Sequence, residues 1–335
     1  MSGSSGDTRQ DPAARAPDIT VILATRNRAA HLGRALSHLA AQDTGGAFAY
    51  DVLVVDNGSA DDTRRVVEER RGDGAMELRY AFEPRAGKPY ALNTGMAQAR
   101  GAIFAFTDDD TRPAPTWLRE LWTCLCEERA DAVAGRVLPR WVAGRPDWLT
   151  DEAIGELGAL GLVDHGALRR HSAQRQDCRW VGSNLAIRRT AALDLGPYDV
   201  RLARGQDTEY YRRAVSRALA VVYEPGAVVY HEIPPERLTA DYFRGWYGRA
   251  GTSRALAGPW ERAQLATIMP VWRYRRIARS AAQWVGHTLR RDPWWRRFRC
   301  ELLLREDLSA WRQCLRLWPR RWLAALTGRL FVPGR

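Results

Sequence analysis

A regular alternation of short apolar runs with amphipathic stretches constrains this chain of 335 residues more than any other feature. Apolar runs with the length and composition of buried strands occupy residues 19–25, 51–56, 77–82 and 102–107. Between them, apolar residues recur at helical spacing over residues 31–41, 61–71 and 89–100. This order predicts an α/β fold with a doubly wound, mostly parallel sheet. Ligands of such sheets bind at the carboxyl ends of the strands.

The pattern loosens after about residue 130. Further strands are expected at residues 130–139, 180–189 and 227–233, with a helix at 205–219. Residues 140–177 lack clear periodicity and are expected to form long loops over a site. We therefore expect one domain over residues 18–235 and a helical extension over 236–335.

The last quarter of the chain, within this extension, accounts for the net charge of the protein. Residues 260–335 contain 17 Arg and 5 acids, which equals the +12 of the full chain, and 8 of its 14 Trp. Trp and Leu side chains at helical spacing form a stripe, with Arg on the other side: Leu304, Leu308, Trp311, Leu315, Trp318 and Trp322. This pattern is typical of a helix that lies on an anionic membrane surface, and equally of a helix packed on the preceding domain. RNA binding is a third hypothesis, but no nucleic-acid motif accompanies it, so no nucleic-acid partner is expected.

Three further features of the sequence bear on where in the cell the protein is located. Residues 1–17 are polar and small without an apolar segment, so we expect a disordered leader and not a signal peptide. No apolar run reaches the roughly 18 residues that a transmembrane helix needs. The five cysteines form no CxxC pair, which fits a reducing compartment. These features predict a cytoplasmic protein, peripheral on the inner face of the membrane if the extension binds lipid.

Three adjacent aspartates, Asp108 to Asp110, follow the fourth apolar run. Adjacent carboxylates repel one another unless a cation is bound, and oxygen ligands suit Mg²⁺ or Mn²⁺. In an extended segment Asp108 and Asp110 would point the same way and share one metal, with Asp109 facing elsewhere. The alternative is a solvated acidic turn that caps the next helix. Asp56, after the second run, is expected to bind a ribose or base, or to cap a turn.

No dinucleotide-binding GxGxxG or phosphate-binding Walker A sequence follows the first run. Taken in order, the motifs resemble family 2 of the nucleotide-sugar glycosyltransferases, which have the GT-A fold. The resemblance covers residues 18–231 and rests on these segments: VILATRNRAAHLGRAL (21–36), VLVVDNGSADDT (52–63), AGKPYALNTGMAQARG (86–101), FTDDD (106–110), WVGSNLAIRR (180–189) and GQDTEYYRR (205–213).

The resemblance implies a role for each matching residue. The expected contacts to the nucleotide-sugar come from a nucleotide-binding half, residues 18–110, and are made by Thr25, Asn27, Asp56, Lys88, Asp108 and Asp109. The expected metal ligands are Asp108, Asp110 and His231. An acceptor half, residues 111–235, supplies the segment around the sugar and acceptor, namely Trp180, Gly182, Ser183 and Asn184.

Asp207 matches the acid that serves as catalytic base in the family. Here Gln206 precedes it, where the family usually has Glu. A single base without a protein nucleophile implies direct displacement with inversion at the anomeric carbon. Asp207 is alternatively an N-cap for a helix that begins near Thr208.

The implied partners are a UDP, GDP or dTDP sugar donor, Mn²⁺ or Mg²⁺, and a hydroxyl of a glycan, lipid-linked or small-molecule acceptor. A nucleotidyltransferase is the second enzyme hypothesis. It is disfavoured because the loop after the first run has no glycine before Gly33. A non-catalytic protein that binds RNA or membranes is the third.

Overall fold

The computed structural model describes residues 16–172, 178–257 and 268–326, with side chains to residue 319, so the expected leader falls largely outside the described residues. The strands are β1 Ile19–Thr25, β2 Tyr50–Asp56, β3 Glu77–Phe82, β4 Ile103–Asp108, β5 Thr111–Pro113, β6 Ala132–Trp141, β7 Arg170–His171, β8 Leu185–Arg188 and β9 Val221–Ile233. The helices are α1 Ala29–Ala40, α2 Thr63–Gly72, α3 Lys88–Gln98, α4 Trp117–Glu127, α5 Asp151–Leu157, α6 Arg189–Leu195, α7 Gln206–Ser216, α8 Ala240–Ala257, α9 Val271–Leu289 and α10 Trp294–Leu326.

The strands form one mixed sheet in the order β3-β2-β1-β4-β8-β6-β9-β5, with β7 paired to β9. The first four in sequence, β1 to β4, are all parallel, as the repeated strand–helix pattern predicts. Their register aligns Thr25 with Asp56 and Ala24 with Asp108. The polar residues that end these strands therefore meet at one edge of the sheet.

The other half of the sheet is mixed, because β8 runs antiparallel to both of its neighbours, β4 and β6. The strand expected at 180–189 forms only from Leu185 to Arg188, and residues 178–184 make a turn before it. β6 and β9 are parallel, with a register shift between Gly135 and Arg136. A Cβ on Gly135 would lie 2.2 Å from the carbonyl oxygen of Ala227, so only glycine allows this close approach.

The extension after residue 235 packs on the domain. Aromatic residues of α8 and α10 share a core with α5, and Trp148 makes edge contacts with Phe243 and Phe298. The buried face of α10 is offset from the predicted stripe, and Leu308 is 47% exposed. The side chain of Trp322 lies outside the described residues. Trp311 of the stripe is partly buried, and the buried apolar residues of α10 lie beside the stripe: Trp295, Phe298, Cys300, Leu302, Ala310 and Cys314.

Buried ion pairs join the last three helices. Asp307 on α10 is fully buried and accepts hydrogen bonds from Arg273 (2.9 Å) and Arg276 (2.5 Å) of α9. The adjacent Glu306, also buried, pairs with Arg254 of α8 and with Arg276. Such pairs fix which faces meet, since each buried charge requires its partner.

The orientation of α9 follows from these pairs. Its buried residues are Arg273 and Ser280, whereas an apolar stripe at steps of three and four residues lies on the exposed side: Val271, Tyr274, Ala278, Ala281, Val285 and Leu289. The helix therefore turns its polar side to the protein and its apolar side outward. None of the described helices is long and apolar enough to cross a membrane.

Candidate active site

The three adjacent aspartates lie at the sheet edge that also holds Thr25 and Asp56. β4 ends at Asp108, and residues 109–110 form a turn. The prediction that Asp108 and Asp110 point the same way from an extended segment is wrong, because side chains alternate only within a strand. The three carboxylates instead contact cationic side chains of the protein.

Asp108 pairs with the only lysine of the chain. Lys88 begins α3, and its Nζ donates to Oδ1 of Asp108 across 2.5 Å. Burial favours the neutral amine, but the carboxylates of Asp108, Asp207 and Asp110 together raise the pKa of Lys88 above its usual value. Lys88 therefore stays protonated, and 34% of its side-chain surface remains accessible.

Asp109 and Asp110 share the guanidinium group of Arg28, the residue before α1. One nitrogen of Arg28 donates to Oδ1 of Asp109 across 2.9 Å and to Oδ2 of Asp110 across 2.8 Å. The hydroxyl of Thr25 donates to the other oxygen of Asp109 across 2.7 Å. Asp109 therefore does not face away from Asp110. Burial raises its pKa, although the charge of Arg28 opposes this shift.

Asp110 also meets two residues from far along the chain. Arg237, in a short 3₁₀ helix at Pro235–Leu238, donates to Oδ2 of Asp110 (2.7 Å) and to Nε2 of His231 (2.8 Å). Nε2 of His231 lies 3.4 Å from Oδ1 of Asp110. Burial acts to raise the pKa of Asp110, but His231, Arg237 and Arg28 hold it well below its usual range.

Asp56 is buried, and both of its carboxylate oxygens accept hydrogen bonds. The backbone N–H of Ser59 donates to Oδ1 across 2.8 Å, and the hydroxyl of Tyr80 donates to Oδ2 across 2.9 Å. The contact to Ser59 is the turn-capping arrangement that the sequence left open. Burial and the neighbouring carboxylate raise the pKa of Tyr80 to about 12, so its hydroxyl stays a donor. Asn27 ties the loop after β1 to this turn, since its Oδ1 accepts from the N–H of Ala60 across 2.7 Å.

Asp207 lies in the first turn of α7, one residue inside the helix. The N-cap is Gly205, with φ of 78° and no capping side chain, so the hypothesis that Asp207 caps the helix is wrong. Its carboxylate lies directly over Gly182, where an added Cβ would approach Oδ1 to 2.7 Å. Burial and Asp108 raise the pKa of Asp207, while Lys88 and the backbone N–H of Gly182 lower it. Oδ1 has no hydrogen-bond partner among the described residues.

The side chains of the segment around residues 180–184 are buried against different partners. Trp180 is 1% exposed, and its ring packs against Tyr211 with centroids 5.1 Å apart. Asn184 is fully buried; its Oδ1 accepts from the indole N–H of Trp117, and its amide nitrogen donates to two backbone carbonyls. Both amide hydrogens of Asn184 are used there, so the protein itself holds this side chain. The expected contacts of Trp180 and Asn184 with the sugar and acceptor stay predictions. Ser183 is also buried, and Gly182 directly adjoins the carboxylate of Asp207.

Sequence reasoning did not single out Arg28, Arg237 or Tyr198. In a chain with 50 arginines no local signal separates the two that reach the aspartates. Tyr198 is buried beside Tyr210, its ring stacked at 4.2 Å, and its hydroxyl has no hydrogen-bond partner among the described residues. Burial and the charge of Asp207 raise the pKa of Tyr198 well above its usual value.

Asp110 and His231 are the side chains that fit a divalent metal. Both accept hydrogen bonds from the guanidinium group of Arg237. A carboxylate oxygen and an imidazole nitrogen are metal ligands that Mn²⁺ accepts. No group of three His, Cys, Asp or Glu side chains in the described part of the chain forms a complete metal site. A metal here would therefore also need ligands from the substrate, as phosphate-bound Mg²⁺ and Mn²⁺ commonly do. Asp108, paired to Lys88, is not part of this group.

The fold and this edge of the sheet can now be compared with known proteins. Residues 20–195, more than half of the chain, match the family model described as "Glycosyl transferase family 2". The chain belongs to glycosyltransferase family 2. This glycosyltransferase is 27% identical to glycosyltransferase AglE of Haloferax volcanii over 225 residues, or 65% of this chain and 68% of that protein. It is also 27% identical to the pre-mycofactocin glycosyltransferase of Mycobacterium tuberculosis over 251 residues, 74% of this chain but only 50% of that protein.

Solved glycosyltransferases share the GT-A fold. The mannosyltransferase PcManGT from Pyrobaculum calidifontis, in complex with GDP-Man and Mn²⁺, is 19% identical with a TM-score of 0.52, over 94% of this chain and 80% of that chain. GalNAc-T7 with UDP, GalNAc and Mn²⁺ is 16% identical with a TM-score of 0.51, over 76% and 56% of the two chains. Family membership favours the glycosyltransferase prediction over a nucleotidyltransferase or a non-catalytic protein. The matched region includes the three aspartates but ends before Asp207 and His231.

Proposed function

We propose that this glycosyltransferase moves a sugar, with inversion, from a nucleotide diphosphate donor to a hydroxyl acceptor, with a divalent metal as cofactor. Residues 18–235 would be the catalytic domain, with the donor held by residues 18–110 and the acceptor by residues 111–235. The observation that carries the proposal is the convergence of two features at one edge. Oδ1 of the base candidate Asp207 has no hydrogen-bond partner among the described residues, and the cations Lys88, Arg28 and Arg237 lie around the neighbouring aspartates.

To act as a general base, a carboxylate must be ionised and must have an oxygen that is free to accept a hydrogen bond. Oδ1 of Asp207 has no partner among the described residues, so it can accept the proton of an acceptor hydroxyl. Its raised pKa makes it a stronger base than an exposed aspartate, while Lys88 keeps the charged form accessible. Because the ionised form is the active one, the rate should rise with pH through a value above the usual carboxyl pKa.

The leaving diphosphate needs positive charge at the other end of the reaction. Lys88, Arg28 and Arg237 already surround the aspartates and can contact phosphate oxygens with charge-assisted hydrogen bonds. A Mn²⁺ or Mg²⁺ ion held by Asp110 and His231 would supply further stabilisation of the leaving charge as a Lewis acid. Asp56 and Tyr80 line the edge next to it and are proposed to contact the nucleoside, with Asn27 shaping the loop.

A binding experiment tests the donor and metal assignments together. UDP, GDP and dTDP are titrated into the protein with Mn²⁺ and then with EDTA, using Asp110→Ala as the variant and the exposed Asp73→Ala as its control. We expect one nucleotide to bind, more weakly in EDTA, and Asp110→Ala to remove the metal dependence. Equal binding by Asp110→Ala and wild type with Mn²⁺ would refute the metal site. Full transfer activity in excess EDTA would assign the stabilisation of the leaving charge to Lys88, Arg28 and Arg237 without a metal.

We further propose that the protein is cytoplasmic and attaches peripherally to an anionic membrane surface, through α9. The outward stripe of α9 includes Val285 and Leu289, the latter 79% exposed, and exposed Arg275 and Arg279 lie on the same helix. Apolar side chains flanked by arginine fit the interface of an anionic bilayer, and the net charge of +12 favours that partner over a second copy of the chain.

Flotation with vesicles tests this attachment. Full-length protein should bind vesicles with anionic lipid and bind neutral ones weakly. It should dissociate in high salt, because the screening length falls from roughly 8 Å at physiological ionic strength to about 3 Å at 1 M. Leu289→Glu should abolish binding, whereas Leu193→Glu, a substitution at another exposed leucine, should not. Equal binding by Leu289→Glu and wild type would refute the assignment of α9.

A further inference from the structure

Buried polar atoms without a hydrogen-bond partner cluster around the first turn of α7. Apart from arginine Nε atoms, six such atoms occur in the part of the chain whose side chains the structure describes. Four of the six belong to residues 180–207, and they are Nε1 of Trp180, the hydroxyl of Tyr198, Oε1 of Gln206 and Oδ1 of Asp207. Buried donors and acceptors are almost always paired in folded proteins, so several unpaired ones at one place point to a group that binds there.

Tyr198 is held in a fixed position by three elements of the fold. The side chain of Asn93, on α3, donates to the carbonyl oxygen of Tyr198 across 3.0 Å and accepts from its backbone N–H across 2.8 Å. The ring stacks on Tyr210 of α7 with centroids 4.2 Å apart and meets Phe106 of β4 edge-on at 6.1 Å. Only 2% of the residue is exposed, so the hydroxyl cannot turn to solvent for a partner.

The two rings that hold Tyr198 belong to elements that carry carboxylates of the candidate active site. Phe106 and Asp108 are two residues apart in β4, so their side chains leave the same face of the strand. Asp207 and Tyr210 are three residues apart in α7 and share a face of that helix. Burial raises the pKa of Tyr198, and the charges of Asp207 and Asp108 raise it further. The hydroxyl of Tyr198 therefore lies near the proposed base.

The hydroxyl of Tyr198 and Oδ1 of Asp207 have complementary hydrogen-bonding capacity. The tyrosine hydroxyl is a donor, and the carboxylate oxygen is an acceptor. No direct hydrogen bond joins the two atoms, and neither has another partner within the described ranges. A single hydroxyl group between them would satisfy both, because its oxygen can accept from Tyr198 while its proton is donated to Asp207.

We propose that Tyr198 is a further functional residue of this glycosyltransferase, whose hydroxyl holds the hydroxyl group that donates to Oδ1 of Asp207. That group belongs to a water bound in the free enzyme or to the acceptor in the transfer reaction, and the chemistry of the two is the same. With a water, Tyr198 positions the carboxylate of Asp207. With the acceptor, Tyr198 fixes the oxygen that attacks the anomeric carbon, the proton of that hydroxyl passes to Asp207, and Tyr198 keeps its own proton.

Unfolding of the full-length protein in urea tests the pairing without any substrate. The variants are Tyr198→Phe, which removes only the hydroxyl, Asp207→Ala and the double variant. If a water joins the two side chains, Tyr198→Phe should raise the unfolding equilibrium constant by about 10-fold in the wild-type background and hardly at all in Asp207→Ala. The control is Tyr210→Phe, whose hydroxyl donates to the carbonyl oxygen of Ala192 across 3.4 Å, and its effect should be the same in both backgrounds.

Release of nucleotide gives a second readout. UDP-glucose, GDP-mannose and dTDP-glucose are incubated with each variant, first with water as the acceptor and then with added glycerol. Tyr198→Phe should lower kcat by about 10-fold, because one hydrogen bond at the reacting hydroxyl is lost. The KM for the sugar nucleotide should stay unchanged, since Lys88, Arg28 and Arg237 hold the diphosphate in the proposed function. Tyr210→Phe should match the wild type in kcat and KM.

The two readouts together distinguish the source of the hydroxyl group. Coupling between Tyr198 and Asp207 in the unfolding cycle, with a lowered kcat, indicates a water in the free enzyme. A lowered kcat without coupling, at unchanged stability, assigns the hydroxyl group to the acceptor.

Other outcomes overturn the inference. Wild-type kcat in Tyr198→Phe removes the functional role, and equal losses of kcat in Tyr198→Phe and Tyr210→Phe assign the effect to ring packing. If the wild type releases nucleotide from none of the three donors, the unfolding cycle decides alone, and absence of coupling refutes the pairing. The role of Asp207 as base rests on the proposed function, whereas the pairing does not. Coupling in a protein that binds no nucleotide would retain the pairing and refute the proposed function.

Discussion

The contact between Gly182 and Asp207 allows the proposed base to be tested without altering its chemistry. In Gly182→Ala the new Cβ would lie 2.7 Å from Oδ1 of Asp207, whereas ordinary contact begins near 3.4 Å. The carboxylate must therefore move by about 0.7 Å. Gly182 does not have a positive φ, and the crowded atoms end a short side chain, so the backbone is not strained and the fold should persist.

We expect a displacement of this size to reduce the rate of transfer strongly but to change the free energy of unfolding little. A misplacement of about 1 Å can cost on the order of 10²-fold in rate. We expect kcat of Gly182→Ala to fall by about 10-fold to 10²-fold, with the KM for the donor and the melting temperature nearly unchanged. The control is Gly155→Ala in α5, where an added Cβ has no neighbour within 4 Å.

The assay is steady-state transfer with the donor found by nucleotide binding, together with thermal unfolding of both variants. If Gly182→Ala turns over at the wild-type rate, the position of the Asp207 carboxylate does not matter and the base lies elsewhere. If Gly155→Ala loses as much activity, the effect is not specific to the contact with Asp207. A large drop in melting temperature for Gly182→Ala alone would contradict the expectation that the side chain moves and the backbone does not.

Three further outcomes are expected. Asp207→Asn should lower kcat by about 10²–10⁴ while nucleotide binding by calorimetry stays the same; normal turnover would refute its role as base. The pKa of Glu83 is lowered to about 2, chiefly by its hydrogen bond from Arg85, so it stabilises the fold above pH 4.5 and this contribution disappears as the pH falls through 2. Urea midpoints of wild type and Glu83→Gln should therefore differ at pH 7 and converge near pH 2; a constant difference would contradict this. Asp307→Ala leaves the buried Arg273 without its acceptor and should cost about 3–5 kcal/mol in the free energy of unfolding, a loss that urea titration would reveal or exclude.

Much of the fold could be predicted from the sequence because it depends on local patterns. The strands Ile19–Thr25 and Glu77–Phe82 have the predicted bounds, since short runs rich in strand-forming residues and bounded by turn residues favour strands. Parallel pairing of β1 with β2 and with β4 then places Thr25, Asp56 and Asp108 at one edge without further information. The family also follows from the order of motifs, which the match over residues 20–195 confirms.

Contacts between distant residues were decided by the tertiary structure alone. Asp110 meets Arg237, 127 positions away, and nothing in a sequence with 50 arginines marks that one. Asn184 illustrates the same limit. Its motif does not show whether the side-chain amide contacts a ligand or, as in this structure, a backbone carbonyl beside the register shift between β6 and β9. In α9, likewise, the sequence alone does not show which side of the helix faces the protein. The buried partners of Arg273 determine that the polar side faces inward, since an unpaired buried charge costs more than an exposed apolar stripe.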